Sequence, residues 1–136
     1  MQNPPPGQIG KSSTGLDENI AALLSYVFGW VSGLVFFLME KDSKLVRFHA
    51  MQSILFCVVI AALCIALWIV TFLFVLVGAM LPDIMGSLMG LLVSLIWLVF
   101  SVALLVGWIL CLVRAYQGQF FKLPVIGNMA EKIVNK

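Results

Sequence analysis

Three runs without a charged residue decide what this chain can be: Ile20–Met39 covers 20 residues, Ile54–Leu81 covers 28 and Ile84–Val113 covers 30. About 20 mainly apolar residues, rising 1.5 Å each, cross a hydrocarbon core about 30 Å thick. The runs predict an all-α polytopic membrane protein with three transmembrane helices, over about 20–39, 52–80 and 86–114. Composition agrees. Charged residues make up 10% of the chain and hydrophobic ones 62%, against about 25% charged in a soluble domain. A water-soluble fold, a disordered chain and a nucleic-acid binder with a basic face are excluded on these numbers. The lipid bilayer is the partner they imply.

The turn signals Gly78, Pro82, Asp83 and Gly86 separate the last two runs. Lys and Arg set orientation. They gather at 41, 44 and 47 and again at 114, 122, 132 and 136, whereas the second connection has none. With three spans, the N-terminus is expected outside and the C-terminus in the cytoplasm, in a prokaryotic cytoplasmic membrane or an internal membrane derived from it. Residues 1–16, rich in Pro, Gly and Ser, read as a flexible polar leader before a membrane domain over 17–136. The tail, 120–136, reads as interfacial. Ile126, Met129, Ala130 and Ile133 line one side of a short cytoplasmic amphipathic segment there, with Asn128 and Glu131 as its capping pair.

Small residues recur at helical spacing: Ser25, Gly29 and Gly33 in the first run, Gly86, Gly90 and Ser94 in the third. Such stripes let helix backbones approach closely in lipid. They are expected to serve packing within the bundle or a homo-oligomer. Trp108, Tyr116, Phe120 and Phe121 approach the basic end as an aromatic belt. Cys57, Cys64 and Cys111 lie inside spans with no ligand spacing, so no metal site is expected.

One polar constellation stands out. Glu40, Lys41, Asp42, Arg47, His49 and Gln52 lie at the start of the second span, with Asp42 or Ser43 as its N-cap. His49, Gln52 and Ser53 share a helix face, which reads either as an interfacial helix start or as a cytoplasmic-face polar site. Arg114 opens the matching segment after the third span, where Gly118 is placed to end the helix, and Glu40 or Asp42 is within reach of it as an ion-pair partner. No span carries a charge near its middle. No catalytic set, phosphate-binding loop or cofactor motif occurs, so no catalytic residue, cofactor or enzyme activity is expected.

Glu40-Lys41-Asp42-Ser43, Val46-Arg47-Phe48-His49-Ala50-Met51-Gln52-Ser53, Arg114-Ala115-Tyr116-Gln117-Gly118 and Leu123-Pro124-Val125-Ile126-Gly127 resemble motifs of small prokaryotic membrane proteins of a domain of unknown function. That family is similar to the twenty-kilodalton subunit of the chloroplast inner-envelope protein translocon and to magnetosome proteins of the MamF and MmsF type. The resemblance covers roughly residues 17 to 134. It implies an integral membrane protein; the plastid relatives are described with four spans, and the magnetosome relatives influence crystal maturation. The expected role is a small membrane scaffold or accessory protein binding copies of itself or a membrane-protein partner. The alternatives are an oligomeric pore or transport component, implied by the translocon resemblance, and a lipid-headgroup enzyme using His49 and Arg47.

Overall fold

A computed structural model describes residues 10–135. Its regular structure is helical apart from an isolated bridge between Lys11 and Asp17. The helices are α1 (Glu18–Val27), α2 (Trp30–Met39), α3 (Lys44–Gly78), α4 (Asp83–Tyr116) and α5 (Ile126–Val134). Two compact units divide the chain: Met1–Val59 with Trp108–Lys136, and Ile60–Gly107.

In the first unit, the run from Ile20 to Met39 is not one helix. It breaks at Phe28-Gly29, where Gly29 takes φ 59° and ψ −130°, a conformation that a side chain would make costly. Ser32 secures the break: its hydroxyl accepts from the Phe28 N–H at 3.1 Å and lies 3.0 Å from the Ser25 carbonyl. Helices α1 and α2 have 10 residues each, about 15 Å of rise, half of a hydrocarbon core. They form a hairpin whose ends meet. Ser12 and Ser13 before α1 donate to Glu40 after α2.

The hairpin lies antiparallel to its neighbours. Along α3, Gly29 meets Ser53 and Cys57, Gly33 meets Ala50, and Phe37 meets Arg47. Along the end of α4, the Tyr26 carbonyl accepts from Trp108, and Asn19 donates to the Tyr116 carbonyl. These contacts go with one correction. Residues 20–39 form two helices of 10 residues each in place of one helix of spanning length, and Asn19 lies beside the Tyr116 carbonyl.

Two terminal motifs frame the unit. Ser43 caps α3, its hydroxyl accepting from the Val46 N–H at 3.3 Å. At the end of α4, Gly118 has φ 68°. The N–H of Gln119 bonds the Arg114 carbonyl and that of Gly118 bonds the Ala115 carbonyl, the paired closure of a Schellman motif. A strap over residues 119–123 follows, then a tight turn centred on Val125 (φ 65°, ψ −56°), closed by a 2.7 Å bond from the Ile126 N–H to the Pro124 carbonyl. That geometry is the rare classic γ-turn. Helix α5 starts at Ile126, so Asn128 lies inside the helix and does not cap it.

The core of the unit is Ala22, Tyr26, Leu45, Cys111 and Ala115, with Trp108, Phe120 and Phe121 packed against it. Three members of the expected aromatic belt are therefore packing groups, and Tyr116 alone is exposed. Residues 10–16, expected to be flexible, are folded by bonds from the Ser12 N–H to the Leu16 carbonyl and from the Gly15 N–H to the Ser12 carbonyl.

The second unit holds the distal parts of α3 and α4, joined by a turn at residues 79–82. Gly86 lies against the Gly78 carbonyl, 2.9 Å from where a Cβ would stand, whereas Gly90 faces open space. The Trp97 indole donates to the Thr71 hydroxyl at 2.9 Å, and Trp68 meets Trp97 edge-on at 5.9 Å. Phe72, Val75, Leu98 and Val99 are all more than half exposed. Such an apolar surface suits lipid, not water. Helices α3, 35 residues, and α4, 34 residues, are both long and apolar enough to cross a membrane.

Candidate functional site

The polar residues of the first unit collect into two clusters, each joining segments far apart in sequence. The first is centred on Glu40. Its side chain is almost fully buried, and its carboxylate accepts from the hydroxyls of Ser12 and Ser13 and from the backbone N–H groups of Ser13, Asp42 and Ser43. Burial pushes the carboxyl pKa up, but the hydrogen bonds from Ser12, Ser13 and Ser43 outweigh it and hold the pKa at about 2. The Ser13 hydroxyl also lies 2.8 Å from the Asp42 carboxylate. Glu40 thus ties the entry of the hairpin to its exit, and both to the start of α3.

The second cluster lies one to three turns along α3. His49 and Gln52 are fully buried and Tyr26 nearly so. The His49 Nε2 stands 3.0 Å from the Gln119 carbonyl, which can only accept, so that nitrogen carries the proton. Nδ1 is left to accept from the Tyr26 hydroxyl at 3.2 Å. Gln52 donates to the same hydroxyl at 3.1 Å and to the Phe121 carbonyl at 3.0 Å, and its amide nitrogen is 3.8 Å from the Cys111 sulfur. The result is a directed chain, Gln52 to Tyr26 to His49 to Gln119, which pins the strap after α4 onto α1 and α3. The Gln52 Oε1 has no partner.

Of the sequence-predicted residues, Glu40 belongs to the first cluster, with Asp42 at its edge, and His49 and Gln52 belong to the second. Lys41 is exposed. The Arg47 guanidinium stacks over the Phe37 ring at 5.2 Å. Arg114 bonds Gln117 and Gln119, at 3.3 and 2.8 Å, and lies over Phe121. It therefore does not pair with Glu40, whose oxygens are taken by the serines and backbone. Ser25 and Gly33 pack inside the first unit, and Gly29 forms the hairpin turn. The Ser94 hydroxyl bonds back to the Gly90 carbonyl.

Sequence reasoning missed Ser12, Ser13, Asn19, Tyr26 and Trp108 as partners. Tyr26, a phenol within an uncharged run, carried a usable signal, since a buried hydroxyl needs a partner. The serines carried none. Among the described residues, no three His, Cys, Asp or Glu side chains are placed to hold a metal ion.

The chain is similar to known proteins over most of its length. The family described as the magnetosome magnetite crystal formation protein family, MamF/MmsF, matches residues 16–130. A UPF0132 membrane protein of Methanocaldococcus jannaschii is 41% identical over 124 residues, covering 91% of this chain and 94% of the relative. A UPF0132 membrane protein of Archaeoglobus fulgidus is 38% identical over 117 residues, covering 86% and 95%. A second M. jannaschii UPF0132 membrane protein is 30% identical over 125 residues, covering 87% and 71%. No solved structure matches the chain.

Proposed function

The chain belongs to the MamF/MmsF family of membrane proteins, and we propose that it is a small non-enzymatic scaffold of the membrane. In this reading its first unit is a rigid platform at the cytoplasmic face. The observation that carries the reading is the use of the polar groups. Both ring nitrogens of His49, the amide nitrogen of Gln52 and the carboxylate of Glu40 are engaged within the chain. A buried, doubly bonded histidine is a positioning group for helices. It is not open to an outside substrate, and it does not line a path as a pore would require.

The topology proposed is two spanning helices, α3 and α4, with α1 and α2 as a re-entrant hairpin. The segments before α1, between α2 and α3, and after α4 then share one side. All eight Lys and Arg residues lie in those segments or in the helix turn adjoining them, as do five of the six acidic residues, Asp83 being the exception. That asymmetry favours the cytoplasm for the shared side. A scaffold is expected to associate with copies of itself or a membrane-protein partner. Crosslinking through exposed Lys41 and Lys132 in native membranes should yield discrete assemblies. Recovery of monomer alone would overturn the scaffold reading.

A further inference from the structure

The hairpin surface carries a consequence beyond scaffolding. Phe28 at its tip is 76% exposed, and Trp30, Val31, Leu34 and Leu38 along α2 are 57, 47, 42 and 68% exposed. These side chains seek lipid. The Glu40 cluster fixes both ends of the hairpin on one side, so the hairpin enters and leaves through the same leaflet. Its turn lies beside Cys57 of α3 and its flank beside Trp108 of α4. Two helices of about 10–12 Å diameter occupy roughly 200 Å² of membrane area. In the hairpin this area is added to one leaflet, and the same segment gives the other leaflet nothing.

We propose that the α1–α2 hairpin is a one-leaflet wedge that makes the protein prefer membrane curved convex toward the side holding Lys11, Lys41 and Lys132. A convex leaflet has its chains and headgroups splayed, and apolar insertion into one leaflet fills those packing gaps. Curvature then selects the protein, and at high density the protein favours curvature. The ligand in this proposal is the lipid surface itself, chosen by shape. Hairpin rigidity matters because a wedge that could unfold across both leaflets would lose its asymmetry. The buried Tyr26–His49–Gln52 chain and the Glu40 cluster supply that rigidity.

The wedge rests on the re-entrant topology, and one experiment separates the two. The full chain, labelled with a fluorophore through Lys132→Cys, is reconstituted into phosphatidylcholine vesicles containing some phosphatidylglycerol, over a wide range of diameters. A membrane-impermeant quencher sorts outward from inward molecules. Outward molecules should show a several-fold rise in density per membrane area on the smallest vesicles, and inward ones a fall. A parallel Lys11→Cys label reports topology. Quenching from the same side as Lys132→Cys supports the hairpin, and quenching from the opposite side overturns the topology and the wedge together. Same-side quenching with density independent of diameter overturns the wedge alone. The Phe28→Ser/Leu38→Ser variant alters exposed side chains only, so the fold should survive. Its size preference should fall toward that of a simple two-span protein, and an unchanged preference would show that the hairpin is not the source.

Discussion

At the level of single side chains, the stability of the first unit turns on a few buried polar atoms. Tyr26 is the central one, because its hydroxyl serves both His49 and Gln52. Tyr26→Phe keeps the ring and removes the hydroxyl, leaving the His49 Nδ1 without its donor. A buried polar group without its partner costs about 1–3 kcal/mol, and unfolding in detergent followed by tryptophan fluorescence should show a loss of that size. Glu40 makes a prediction about pH. Its folded pKa of about 2 lies below the ordinary carboxyl value of 4.5. Its stabilisation is therefore fully present above about pH 4.5 and is lost as pH falls toward 2. The hairpin should loosen over that window, measured as rising protease sensitivity of residues 10–17, and Glu40→Gln should lose the pH dependence at the outset. His49 and Gln52 could be read as neighbours from their spacing on one helix, and Glu40 as part of the charged segment before it, but their partners could not. Three of those partners are the hydroxyls of Ser12, Ser13 and Tyr26 and two are the backbone carbonyls of Gln119 and Phe121, and helical periodicity says nothing about contacts between segments 70 residues apart in sequence.

Among the elements, α3 and α4 were readable and the hairpin was not. Both long helices announce themselves by length and hydropathy, and their turn by Pro82 and Gly86. The first run has the same apolar length as a span, and what breaks it is tertiary. Gly29 can occupy φ 59°, and Gly33, 2.9 Å from the Ala50 carbonyl at the site of a would-be Cβ, lets α2 lie against α3. Read as a small-residue stripe, these glycines carried no sign that one of them, Gly29, marks a reversal of direction. Gly33→Leu should therefore separate α2 from α3, seen as a lower melting temperature in detergent and loss of same-side labelling. Helix α5 carries its own test. Val125 holds a positive φ that a β-branched residue adopts only under strain. Val125→Gly should raise stability by about 1 kcal/mol, measured by denaturant unfolding in micelles. Gly127→Ala should do the reverse, since its Cβ would stand 2.5 Å from the Lys122 Cα.

For the whole molecule, charge placement dominates. With every Lys and Arg in or next to the segments proposed to share one side, and Asp83 the one charge away from them, a single change should not invert insertion. Asp83→Lys is expected to keep wild-type orientation by cysteine accessibility at Ser87→Cys, because one added cation faces eight. The Glu40 cluster also has a meaning in time. Ser12 and Ser13 leave the ribosome long before Glu40, and Ala50 and Ser53 follow later still. While the chain is being made, residues 20–39 emerge as a free apolar stretch of spanning length, with nothing yet to bend against. A chain stopped before α3 should thread that stretch straight through the bilayer, carrying Ser13 across, and only the arrival of α3 should draw it back. The protein's topology is then settled by a late-made segment acting on an early one, which glycosylation-site mapping of stalled chains would follow step by step.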